Sequence, residues 1–214
     1  MKYEVGSSYK PRQAREHFIP HIKFIPEWFI DCGPGCASEY KDARHKWPSV
    51  ALLGLEPSPI GYEAARQGFP VDDNSLLLQV AIWDKDEIIT LHQASDLLHS
   101  LCFRRADEAQ TDDPTGDSAD MVKVQARSLD SLDAEYGPFD KVVLWMDIEG
   151  SERRALRGAK NLLSRGAIWA VNIETRPEYE IEFNTILSQS GLKTVSRYLQ
   201  CETYWDEVWI RRGE

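Results

Sequence analysis

The chain has 214 residues, of which 42% are hydrophobic, 25 are Lys or Arg and 35 are Asp or Glu. A chain of this length and composition makes a single globular domain, 1–214, burying on the order of 70% of what its unfolded form exposes, so wholesale disorder is excluded and no disulfide or metal staple is needed. The net charge of −10 argues against nucleic acid or an anionic membrane as partner, because both demand clustered Lys and Arg.

No apolar run approaches the roughly 20 residues of a membrane-spanning helix, and the opening MKYEVGSSYKPRQAREHF is too polar for a signal-peptide core, so a cytoplasmic setting is expected. Cys32, Cys36, Cys102 and Cys201 show neither paired C-x-x-C units nor a His pair at finger spacing and are read as free thiols.

In chain order, residues 1–26 read as a helical lead-in, after which short apolar runs alternate with amphipathic stretches. Strands are expected at 28–32, 50–55, 76–83, 88–91, 121–126, 142–148, 168–174, 194–199 and 207–210, and helices at 38–47, 59–68, 151–165 and 177–190. In the helix at 151–165, Ala155, Leu156, Ala159, Leu162 and Leu163 form one stripe, Glu152 favours the helix dipole in the first turn, and Gly166 supplies a left-handed stop. Near-continuous apolar strands alternating with helices predict βαβ units and an open, mainly parallel α/β sheet covered on both faces. Residues 105–120 break the rhythm: they carry Asp107, Glu108, Asp112, Asp113, Asp117 and Asp120 with almost nothing apolar, and read as an acidic surface loop rather than a substrate lid.

Three strand ends carry the chemistry. The first runs Asp31-Cys32-Gly33-Pro34-Gly35 and opens onto a helix, where glycines let a ligand approach the backbone and the helix start offers unpaired N–H groups. The second ends in Glu56-Pro57, 25 positions after Asp31, the kind of spacing that delivers a carboxylate to ribose hydroxyls; the plainer role for Glu56 is to cap the next helix. Both motifs suit NAD as well as S-adenosylmethionine, although Ser38 stands where a pyrophosphate fingerprint has its third glycine. The third is Trp145-Met146-Asp147-Ile148-Glu149-Gly150-Ser151-Glu152. Asp147 and Glu149 lie beyond the carboxyl end of a strand and share a face of an extended backbone, a pair able to act as general base or to bind a divalent cation through oxygen.

Taken together these blocks resemble the FkbM-type S-adenosylmethionine-dependent methyltransferases. The resemblance rests on Phe29-Ile30-Asp31-Cys32-Gly33-Pro34-Gly35, Leu55-Glu56-Pro57-Ser58-Pro59, Gln79-Val80-Ala81-Ile82-Trp83-Asp84, Ala126-Arg127-Ser128-Leu129-Asp130-Ser131-Leu132, and Met146-Asp147-Ile148-Glu149-Gly150-Ser151-Glu152 with Leu156-Arg157-Gly158-Ala159, in that order. It implies a class I methyltransferase (Rossmann-like) three-layer sandwich with a mainly parallel seven-stranded sheet whose last strand is antiparallel. It also implies that Asp31, Gly33, Pro34 and Gly35 line the methionine and ribose part of S-adenosylmethionine, that Glu56 with Pro57 holds the ribose, that Ala81 and Ile82 border the adenine, and that Asp147 faces the transferable methyl. The implied acceptor is a hydroxyl on a small molecule or sugar. The chain departs from the family where an Asn and a later Gly are Gly35 and Ala37, and where a Lys two before the Asp is Trp145.

Asp147 and Glu149 are thus the expected catalytic residues, with Glu174, His92 and His99 as further groups that could reach the cleft. Arg153, Arg154, Arg157, Lys160 and Arg165 read as the solvated face of their helix. Two other functions fit the same residues: a cofactor-binding fold that has lost catalysis and serves as a partner or sensor, and a nicotinamide-dependent enzyme.

Overall fold

A computed structural model describes residues 4–5, 14–35, 39–93, 120–148, 150–199 and 204–213. Glu149, Cys36, Cys102, Cys201, His99 and all of the 105–120 segment except Asp120 lie outside them, as do the side chains of Asp120 and His92.

The strands are β1 (Glu4–Val5), β2 (Trp28–Cys32), β3 (Ala51–Leu55), β4 (Ser75–Leu78), β5 (Ala81–Ile82), β6 (Glu87–Gln93), β7 (Asp120–Arg127), β8 (Val142–Met146), β9 (Ile168–Thr175), β10 (Leu192–Leu199) and β11 (Trp205–Arg211). The helices are α1 (Ala14–His17), α2 (Glu39–Lys46), α3 (Pro59–Arg66), α4 (Leu129–Tyr136), α5 (Glu152–Arg157), α6 (Lys160–Ser164) and α7 (Pro177–Gln189). Eight strands form the main sheet in the order β1-β10-β11-β9-β8-β2-β3-β4, seven of them without the two-residue β1. Within this sheet β11, the last in the chain, alone runs antiparallel, inserted between β9 and β10.

Alternation along each strand divides the core into two layers, because successive side chains point to opposite faces. Ile30, Leu144, Met146, Val171 and Ile173 join Leu132 of α4, Leu156 of α5, Leu162 of α6 and Phe183 of α7 on one face. Phe29, Val143, Trp145, Ala170 and Val208 meet Phe18, Ile19, Tyr40 and Ala43 on the other. Fully buried β8 reads VVLWM, a run with no polar side because neither face meets water.

Two sequence expectations are corrected, and one helix is added. The run 76–83 divides into β4 and β5, and β5 joins β7 and β6 in a separate three-stranded sheet with its own core of Trp83, Ile89, Leu91 and Val124. The helix expected over 151–165 breaks at Gly158-Ala159. There a Cβ on Gly158 would stand 2.0 Å from the Trp83 carbonyl oxygen, and the Asp130 carboxylate accepts the Asn161 and Leu162 N–H groups to start α6 anew. Helix α4, capped by the Ser128 hydroxyl on the Ser131 N–H, has too short an apolar stripe to stand out in the sequence. Gly166, at φ 75°, is the left-handed stop expected.

Candidate active site

At the carboxyl edge of the sheet, the ends of β2, β3 and β8 converge because these strands are adjacent and parallel. The turn after β2 is pinned on both sides: the Gly33 N–H donates to the Leu55 carbonyl at 2.9 Å, and the Gly35 N–H to Glu56 Oε2 at 3.0 Å. Gly33 has φ 88°, and a Cβ there would meet the Asp147 carbonyl oxygen at 2.3 Å, so glycine is demanded by conformation and by space alike. The Asp147 N–H continues the ladder to the Cys32 carbonyl at 3.2 Å. Asp31, Gly33, Gly35, Glu56 and Asp147, widely spaced in sequence, therefore lie together at this edge, with Pro34 buried in the turn and Pro57 half-buried beside Glu56. Ala81 and Ile82 are buried in β5, where they pair with Ala126 and Arg127, and Ile82 packs in the same core cluster as Leu55 and Met146.

Glu56 does not cap α3; Ser58 does, its hydroxyl accepting the Gly61 N–H. The Glu56 carboxylate instead takes the Ser58 N–H on Oε1 at 2.9 Å and the Gly35 N–H on Oε2, which leaves each oxygen a lone pair for a further donor. Burial pushes its pKa up to about 7, against the pull of those two backbone donors.

Asp31 is 1% exposed, and neither oxygen has a well-formed hydrogen bond among the described residues. Burial raises its pKa well above the carboxylate range; the charges of Glu39, Asp147 and Glu56 raise it further, and the Tyr40 backbone N–H works in the opposite direction. Glu39, a buried acid opening α2, belongs to the same cluster. Sequence reading missed it, since an acid one residue past Ser38 looks like an ordinary first-turn residue.

Further along the edge, Glu174, next to last in β9, is buried 3.5 Å from Arg176, and its charge reaches Glu152. Glu152 is no simple dipole acid: it is buried, and its Oε1 accepts the Ile148 N–H at 3.0 Å. Of the basic side chains of this region, Arg157, Lys160 and Arg165 are exposed, as expected of a solvated face, while Arg153 and Arg154 are half-buried. Arg153 and Arg157 both pair with Glu182, Arg154 pairs with Asp84 while lying over the Trp83 ring, and Arg165 pairs with Asp133. Trp145 turns to the α1 side of the sheet against Phe18, with ring centroids 5.6 Å apart.

The residues present are compatible with a nucleoside carrying a positive charge: each Glu56 oxygen keeps capacity for a further donor, and the Asp31 oxygens lie inside a concentration of negative charge that a cation would relieve. Among the described residues no three His, Cys, Asp or Glu side chains converge to hold a metal, so the divalent cation receives no support from them. No helix of the described residues is long and apolar enough to cross a membrane.

The strand order, with one antiparallel strand beside the edge and a glycine turn at the end of the strand bearing Asp31, defines the class I methyltransferase fold. The family model described as the methyltransferase FkbM domain matches residues 36–201, and the chain belongs to that family. Among solved structures, the methyltransferase FkbM of Methylobacillus flagellatus KT superposes with a TM-score of 0.60 at 14% identity, covering 92% of this chain and 48% of that one. The fibrillarin pre-rRNA processing protein of Methanococcus jannaschii superposes at 0.51 with 12% identity, covering 88% and 68%. This chain thus spans about half the length of the FkbM structure it resembles. No protein of curated function matches it in sequence.

Proposed function

We propose that the protein transfers the methyl group of S-adenosylmethionine to a hydroxyl of a small molecule or sugar. The observation that carries this reading is the Gly33-Pro34-Gly35 turn clasped by Glu56 and faced by Asp31 and Asp147. Carboxylates crowded around a glycine turn repel a pyrophosphate and attract a sulfonium, which favours S-adenosylmethionine over a nicotinamide dinucleotide.

When bound, S-adenosylmethionine supplies a methyl carbon on a good leaving group, and the chain's main task is to hold an acceptor in line with it. Glu56 grips the ribose hydroxyls, the Gly33-Pro34-Gly35 turn supports the methionine portion, and Ala81 and Ile82 flank the adenine. Asp147, half-buried and held at its N–H by Cys32, accepts the acceptor's hydroxyl proton as the new C–O bond forms, with Glu149, two positions on in the sequence, as the second carboxylate.

Calorimetric titration with S-adenosylmethionine and with NAD tests the cofactor; tighter binding of NAD would overturn the reading. An acceptor screen that follows release of the demethylated cofactor tests the reaction, with Asp147→Asn expected to lower turnover by about two orders of magnitude. A second reading, a cofactor-binding fold without catalysis, draws on Trp145, an aromatic packed on Phe18 where the family commonly has a Lys. Binding of S-adenosylmethionine with no turnover of any hydroxylated acceptor would select it.

A further inference from the structure

Glu152 is a buried acid that the proposed reaction does not use. A first-turn Glu normally remains in water, where it still interacts favourably with the helix dipole. Here the side chain is 2% exposed, and hiding a carboxyl group is costly unless hydrogen bonds compensate. The compensation is specific: Oε1 accepts the N–H of Ile148, the residue that directly follows Asp147, at 3.0 Å.

The turn between β8 and α5 is thereby fastened at both ends. Ahead of it the Asp147 N–H is held by the Cys32 carbonyl at 3.2 Å; behind it the Ser151 N–H is held by the Ile148 carbonyl, also at 3.2 Å. Gly150, at φ 95° with nothing near its absent Cβ, lets the chain reverse direction. Of these restraints the Glu152 bond is the one made by a side chain, and so the one that a point substitution removes. Asp147 sits between two amides, the first fixed by the sheet and the second by Glu152.

We propose that Glu152 is a positioning residue for methyl transfer, holding the Ile148 amide so that the Asp147 carboxylate stays in register with the Gly33-Pro34-Gly35 turn. The proposal rests on the role given to Asp147 above. Burial, backed by the charges of Glu174 and Asp147, pushes Glu152 up to about 8. Near pH 7 its carboxyl is therefore protonated for the greater part, and Gln is its natural substitute: it keeps the accepting oxygen and lacks the charge.

The test uses the full chain with S-adenosylmethionine and S-adenosylhomocysteine as probes, titrated into wild type, Asp147→Asn, Glu152→Ala and Glu152→Gln. A carboxylate held beneath the methyl prefers the sulfonium to the neutral thioether, so the ratio of the two dissociation constants reports where Asp147 sits, and general loosening cancels from it. Asp147→Asn and Glu152→Ala are each expected to cut that preference by about fivefold or more, and Glu152→Gln to restore it to within about twofold. Amide hydrogen exchange at Ile148 is expected to quicken by about tenfold or more in Glu152→Ala but not in Glu152→Gln.

The proposal is overturned if Asp147→Asn abolishes the preference while Glu152→Ala leaves it intact, or if Glu152→Ala and Glu152→Gln behave alike. Should wild type bind neither probe, or Asp147→Asn keep the preference, the role of Asp147 fails first and this inference with it. Where Glu152→Ala does not fold, Glu152→Asp replaces it: one methylene shorter, it cannot reach Ile148 from the same backbone, and the same loss of preference is expected.

Discussion

Glu207 on β11 and Asp31 on β2 are both sealed from water within one sheet, and their surroundings are opposite. Glu207 is 0% exposed and fully furnished: the indole N–H groups of Trp205 and Trp209 donate to it at 3.0 and 2.9 Å, and Arg197 Nε lies 2.7 Å away. Arg197 in turn lies over the Trp205 ring. Asp31 has the Tyr40 backbone N–H in its favour and the carboxylates of Glu39, Asp147 and Glu56 against it. The contrast separates two uses of a buried charge. One is closed by the fold and contributes to holding β10 against β11; the other is left costly by the fold, as expected where a ligand completes the arrangement.

Substitutions can break this contrast. The largest effect on stability is expected for Glu207→Ala, which leaves two indole donors without their acceptor and takes from Arg197 one carboxylate while Glu180 remains, at a cost of about 2–4 kcal/mol in denaturant unfolding. Its affinity for S-adenosylmethionine should stay within about twofold of wild type, because the site lies on the other face of the sheet; a stability loss below about 1 kcal/mol would show that the acid is no anchor. Asp31→Asn is expected to do the reverse, weakening S-adenosylmethionine by about tenfold in calorimetry while unfolding no more easily than wild type, since it relieves charge crowding. Equal losses of stability from the two substitutions would erase the distinction.

Two pH profiles sharpen it. Glu56, at about 7, accepts ribose hydroxyls best when ionised, so affinity for S-adenosylmethionine should strengthen by about tenfold from pH 6 to pH 8 and become flat in Glu56→Gln. For stability the sign is opposite. A carboxyl raised on folding, as Glu152 is to about 8, contributes most below its unfolded value of 4.5, and that contribution is lost as pH rises through 8. Thermal unfolding should therefore show Glu152→Gln gaining on wild type between pH 6 and pH 9, by on the order of 2–3 kcal/mol; parallel curves would mean that Glu152 does not titrate in a buried setting.

Much of the fold was legible because strands covered on both faces write themselves as apolar runs, and 28–32, 142–148 and 168–174 contain β2, β8 and nearly all of β9. What misled was locally sensible. The apolar run at 76–83 conceals the point at which the chain leaves one sheet for another, a choice made by the pairing of β5 with β7 and invisible along the chain itself. The stripe from Ala155 to Leu163 is continuous on a helical wheel, yet the close approach of the Trp83 carbonyl to Gly158 splits the helix. Among the acids, Asp31, Glu56 and Asp147 announced themselves by standing at strand ends. Glu39, Glu152 and Glu207 gave no such sign, because burial of a carboxylate depends on what other segments bring to it.

The amino-acid order by itself determined the class of architecture and the glycine turn with its attendant carboxylates, since these rest on hydrophobic period and local backbone freedom, which near neighbours set. Only the tertiary structure decided which carboxylates face one another, which are satisfied, and how the turn after β8 is tied down. Electrostatic and hydrogen-bonding energies depend on distances of a few ångströms between residues far apart in sequence, and those distances exist only once the sheet has closed.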